Sequence, residues 1–135
     1  MDTIKLMVPC KPEYVSTIRL AVSSLANNIG FDIEAIEDIK VAVSEACSNI
    51  VSHSSIGEET QYEVECSAGE DRIELSVKDQ GVGFEMSEYT EPDLDMPSES
   101  GLGVFLMRVL MDEVQIQTGE GSGTCIKMIK YRQGA

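Results

Sequence analysis

The hydrophobic period of this chain changes from helical to alternating partway along, and that change narrows its possible folds more than any other feature. Val15, Ile18, Val22, Leu25 and Ile29 follow one another at spacings of 3, 4, 3 and 4, the apolar stripe of one helix, which Gly30 ends. Asp32, ahead of Ala35 and Ile36, reads as the cap of a second helix, whose apolar positions Ile36, Ile39, Val43, Ala46 and Ile50 repeat the pattern. Beyond "SSIGEET" the period becomes two. Tyr62, Val64 and Cys66 alternate with Glu63, Glu65 and Ser67, and Ile73, Leu75 and Val77 with Glu74, Ser76 and Lys78. These are two strands with one wet face, joined by a turn at Gly69-Glu70-Asp71.

The flanking segments complete the order. "TIKLMV" alternates Ile4, Leu6 and Val8 and is closed by Pro9 and Pro12, a strand leading to a helix start. "DQGVGF" breaks the strand pattern, and residues 84–100 hold two prolines and six acids with no basic residue, which predicts a mobile loop. "SESGLGVFLMRVLMDEV" then reads as an amphipathic helix with two glycines at its mouth, and Phe105, Leu106, Val109 and Leu110 as ordinary core. "VQIQT", a "GEGSGT" turn and "CIKMIKY" form a closing hairpin. Strand, two helices, two strands, helix, two strands predicts an α+β sandwich over a single domain, 1–135, with helices on one face of a mainly antiparallel sheet.

Composition narrows the partners. With 24 Asp plus Glu against 10 Lys plus Arg, the formal net charge is -14; this argues against direct nucleic-acid binding, which usually shows a basic footprint, and suits a basic protein partner. Cys10, Cys47, Cys66 and Cys125 show no Cys-x-x-Cys pairing and the chain has one His, so zinc spacing is absent and buried thiols are expected. No segment reaches the length of an apolar membrane span, and "MDTIKLMVPCKPEY" lacks the features of a secretory signal. The chain reads as cytoplasmic, with reduced cysteines and no membrane partner.

Four short patterns could carry chemistry. At about 100° per residue, Glu45 and Asn49 share a face of the second helix away from its apolar stripe, among the small residues Ala42, Ala46 and Ser48. An amide oxygen is a hard ligand that Mg²⁺ accepts beside phosphates and water, and a carboxylate one turn away can take a proton from an attacking hydroxyl. Asp79 beside the flexible Gly81 and Gly83 can accept a hydrogen bond from an exocyclic amine such as that of adenine. Gly101, Leu102 and Gly103 open a helix whose N-terminus attracts phosphate even among acidic side chains. "GSGTCIK" reads first as a hairpin turn, with the alternative that the Thr124 hydroxyl meets the base held by Asp79.

In this order and spacing, Glu45-x-x-x-Asn49, Asp79-x-Gly81-x-Gly83, Gly101-Leu102-Gly103 and Gly123-Thr124 resemble the N, G1, G2 and G3 boxes of the GHKL ATPases. A closer resemblance runs over nearly the whole chain. "VPCKPEYVSTIRLAVSSLA", "IEDIKVAVSEACSNIVSH" and "GLGVFLMRVLMDEV" are similar to the anti-sigma factor serine kinases of the RsbW and sporulation type. That resemblance implies a Bergerat-type fold and a cytoplasmic homodimer that sequesters an RNA polymerase sigma factor. It also implies phosphorylation of an anti-anti-sigma factor on serine with Mg-ATP. On it Glu45 is the general base, Asn49 holds Mg²⁺, and Asp79 reads the adenine. Gly81, Gly83, Gly101, Leu102 and Gly103 shape the pocket, Thr124 supports the base, and Arg19 on the first helix serves the protein partners. Residues 84–100 lack the basic residue that some relatives place near the terminal phosphate. Slow turnover, or a module in which ATP only gates sigma-factor capture, is the alternative this implies.

Overall fold

A computed structural model describes residues 1–53, 60–79, 99–119 and 123–134. The order of elements follows the periodicity: β1 (Asp2–Pro9), a 3₁₀ turn (Pro12–Tyr14), α1 (Val15–Ile29), α2 (Ile33–His53), β2 (Gln61–Ala68), β3 (Arg72–Asp79), α3 (Glu99–Leu110), β4 (Glu113–Gly119) and β5 (Gly123–Tyr131). The predicted loop gives up its last two residues to α3; residues 84–98 of it, like Gly81 and Gly83, lie outside the described residues.

Local chemistry sets the helix boundaries. Gly30 takes a left-handed φ of 102° and donates its N–H to the carbonyls of Ala26 and Asn27, closing α1. Asp32 caps α2 as its sequence predicts, its Oδ1 accepting from the Ala35 N–H at 2.8 Å. At the far end of α3 the Lys130 ammonium of β5 donates to the Leu110 carbonyl at 2.6 Å, a cation on the negative end of the helix that also ties it to the sheet.

The five strands form one antiparallel sheet in the order β1-β2-β3-β5-β4. β4 is an edge strand, and β5 returns from it to lie between β4 and β3. Strand alternation divides the two faces. Val64, Ile73, Leu75, Val77, Ile126 and Met128 are buried, and they meet the apolar stripes of the helices, where Ile18, Val22, Ile39, Val43 and Met107 are buried in turn. Opposite charges face each other on the other side, Lys5 across from Glu65 and Glu63 across from Lys78. α2 packs against α1 on one side and α3 on the other and meets β3 and β5 below, so it is the middle of the helical layer. Two expectations for α3 change. Val104 and Met107 are core, but Phe105 and Val109 are 40% and 61% exposed, because the helix rests on α2 with its 104/107 side and turns 105/109 outward.

Candidate functional site

Glu45 and Asn49 lie one turn apart on α2. The sequence places them away from the stripe that faces the sheet; α3 packs on α2 as well, so this position is not a wetted face. Asn49 is buried, 7% exposed, and among the described residues its Nδ2 has no hydrogen-bond partner. A buried donor left unpaired costs about 1–3 kcal/mol, so an orphan amide of this kind marks a place where a ligand or water can be taken up. Glu45 is half-buried. A Cβ built on Gly103 of α3 would lie 2.8 Å from its Oε2, so the first and third of the four patterns meet where α2 and α3 pack.

Of the glycines of that third pattern, only Gly101 lies at the mouth of the helix. α3 begins at Glu99, which puts Gly101 and Gly103 in its first turn and a half and brings the Gly103 amide inside the hydrogen-bonded ladder. Gly101 and Gly103 are buried, while Leu102 between them is 49% exposed.

The second and fourth patterns meet at the end of the sheet. Tyr62 lies directly opposite Asp79 on β2, and the pairing of Lys78 with Cys125 makes Asp79 and Thr124 the next residues along β3 and β5. Asp79 is 8% exposed and Thr124 1%. Thr124 belongs to β5, paired with Thr118, rather than to the hairpin turn its sequence first suggests. Among the described residues the Thr124 hydroxyl has no hydrogen-bond partner, whereas the hydroxyl of the fully buried Tyr62 lies against the Cys47 thiol of α2. Gly123 has φ +80°, and a Cβ on it would stand 2.9 Å from the backbone carbonyl oxygen of Asp79. The sequence flags Gly123 by its place beside Thr124 but not this contact. Tyr62 it marks only as an inward strand position, because pairing with Asp79 is a matter of register.

The floor beneath the site is electrically neutral at ordinary pH. Burial pushes the Cys47 thiol on α2 up to about 12 and the Cys66 thiol on β2 up to about 11, and it raises the neighbouring Tyr62 phenol as well. All four cysteines are free thiols. Arg19 stands apart from the four patterns, on α1; it is half-buried, with its Nε enclosed and without a partner among the described residues, rather than a solvated helical arginine.

Buried polar groups from α2, β3 and β5, gathered under a helix layer on an antiparallel sheet, define a histidine kinase-like ATPase domain, and the family of that description matches residues 8–130. The chain is 42% identical to the serine-protein kinase RsbW of Bacillus velezensis over 99% of its own length and 88% of the relative's. It is 43% identical to that of Bacillus subtilis, covering 98% and 88%, and 42% identical to that of Listeria monocytogenes, covering 96% and 87%. The chain belongs to the RsbW family of serine-protein kinases. A solved structure of the RsbU and RsbW domains of a Mycobacterium tuberculosis protein superposes with a TM-score of 0.73 at 21% identity, over 100% of this chain and 34% of that one, which shows the shared fold. Among the described residues no helix is long and apolar enough to cross a membrane.

Proposed function

We propose that this protein is an anti-sigma factor that holds an RNA polymerase sigma factor and phosphorylates an anti-anti-sigma factor on serine with Mg-ATP. The observation that carries the reading is a set of buried polar atoms without partners among the described residues, Asn49 Nδ2, a donor suited to a phosphate oxygen or a water, and Thr124 Oγ1, placed on the two elements that bear Glu45 and border Asp79. Mg-ATP, when bound, supplies the phosphoryl group and the charge that organises it.

The residues of the chain do the rest. Asn49 offers its amide oxygen to the cation, a role that suits an ion taking few protein ligands beside phosphate and water. Asp79 accepts from the exocyclic amine of the base, and Thr124 lends its hydroxyl beside it. Gly81, Gly83, Gly101, Leu102 and Gly103 border the nucleotide, and the first turn of α3 directs its dipole at the phosphates. Glu45 takes the proton of the attacking serine hydroxyl. Arg19, on the outer helix α1, meets the protein partners. The reading makes the protein a cytoplasmic homodimer without a direct nucleic-acid or membrane partner. Its acidic surface draws in a basic sigma factor, so the association rate falls as salt is raised.

The experiment is phosphoryl transfer from labelled Mg-ATP to the anti-anti-sigma partner. Glu45→Ala is expected to lower the rate about 10²–10⁴-fold, the range for a general base. A variant that transfers phosphate as fast as the parent removes Glu45 from that role. Label that stays on ATP in the parent, with sigma capture intact, shows a binding module instead of a kinase.

A further inference from the structure

We propose that Gly103 is a positioning residue for Glu45, and that its missing side chain is what allows the Glu45 carboxylate to stand where it does. The role rests on the reading of Glu45 as the base and deepens it.

A glycine inside a helix is destabilising relative to alanine, so this one needs a physical reason. Backbone conformation does not supply it. The described glycines with positive φ are Gly30, Gly123 and Gly134, and Gly103 is not among them. Close packing of helix backbones does not supply it either. The three atoms nearest a Cβ at residue 103 all belong to one side chain: Glu45 Oε2 at 2.8 Å, then its Cβ and Cδ at 3.8 Å. A methyl group there meets no backbone tightly. It meets the reactive end of Glu45, closer than real Cβ contacts come, and that end is free to swing away. The substitution is therefore cheap for the fold and costly for the placement of the carboxylate.

Placement is what the proton transfer needs. A base acts within hydrogen-bond reach of the hydroxyl it serves, and a displacement of about 1 Å at a reacting group can cost about 10²-fold in rate. The geometry thus separates two roles for a glycine at this place. A glycine that only admits phosphate governs nucleotide affinity, whereas one that seats Glu45 governs turnover.

The test is Gly103→Ala, alone and combined with Glu45→Ala. A crystal structure of the nucleotide-free single variant is expected to show α2 and α3 unmoved and the Glu45 carboxylate displaced by roughly half an ångström or more, enough to open the 2.8 Å approach to an ordinary contact. Its melting temperature is expected to equal or exceed the parent's, since alanine favours the helix. Phosphoryl transfer should fall at least about tenfold, and by clearly more than affinity for a fluorescent ADP analogue falls, since Gly103 also borders the nucleotide. In the Glu45→Ala background the same substitution should change the residual rate less than about twofold, the non-additivity of two residues acting as one.

A melting temperature lowered by more than about 5 °C, a shift that corresponds to a substantial loss of stability in a domain of this size, would show a packing glycine and overturn the proposal. Affinity and turnover falling together would show a phosphate seat, and full activity with a displaced carboxylate would show that the seat is irrelevant to turnover. Either overturns it. If the parent transfers no phosphate to serine, the kinase reading fails, and the nucleotide-free crystal structure still decides whether Gly103 seats Glu45.

Discussion

Two glycines lie at the two ends of the candidate site, and a side chain is excluded from each for a different reason. At Gly103 the backbone is helical and the atom in the way is the mobile tip of Glu45, whereas at Gly123 φ is +80° and the atom in the way is the backbone carbonyl oxygen of Asp79. The end formed by α2 and α3 is thus adjustable, its geometry held by one flexible carboxylate. The end formed by β3 and β5 is fixed by the sheet itself. On the proposed reading the base lies at the fixed end, and the phosphates at the end where the placement of Glu45 depends on the missing side chain of Gly103.

The largest effect expected tests the floor that both ends share. The Cys47 and Cys66 thiols have folded-state values above their ordinary one of 9.0, at about 12 and about 11. Their contribution is fully present below pH 9 and is lost as pH rises through that window, because the unfolded chain releases protons that the fold retains. Chemical denaturation followed from pH 8 to 11 should show stability falling by several kcal/mol. A flat profile would mean that the fold does not hold these thiols away from water.

A smaller effect separates the ends directly. Gly123→Ala places a Cβ both in left-handed backbone and against a carbonyl that cannot swing aside, and about 2–3 kcal/mol of stability should be lost. Thermal unfolding of Gly123→Ala beside Gly103→Ala makes the comparison. Equal losses in the two variants would show that both glycines are structural.

The smallest effect is on stability and the most telling on function. Thr124→Val replaces an unpartnered buried hydroxyl by a methyl group of similar shape, so the nucleotide-free protein should melt within about 0.5 kcal/mol of the parent or slightly above it. The stabilisation that saturating Mg-ATP gives the parent, which follows RT ln(1 + [L]/Kd), should shrink in the variant. A variant that loses stability without nucleotide while keeping the full ligand shift would make Thr124 a residue of the fold and not of the base pocket.

Much of the architecture is legible because it is local. The stripe from Val15 to Ile29, the Asp32 cap and the alternation from Tyr62 to Val77 depend on residues at most a few positions apart, and each appears where its pattern predicts. The four motifs were legible as patterns for the same reason, since each spans five residues or fewer. Exposure of Phe105 and Val109 was not legible, because an amphipathic helix carries no mark of which part of its apolar arc its neighbour will cover. Nor was the start of α3 at Glu99, where an acidic, proline-bearing stretch passes into helix without a strong boundary signal.

Left to itself, the sequence determined the element order, the α+β class, the caps, and the residue types available for chemistry, since propensity and periodicity act over one or two turns. Tertiary structure alone decided the pairings that make a site: β5 running between β4 and β3 sets Thr124 beside Asp79, and α3 lying on α2 sets Gly103 against Glu45. Those pairings join residues far apart in the chain, and they are settled by which apolar faces bury one another, a choice that no short stretch of sequence contains.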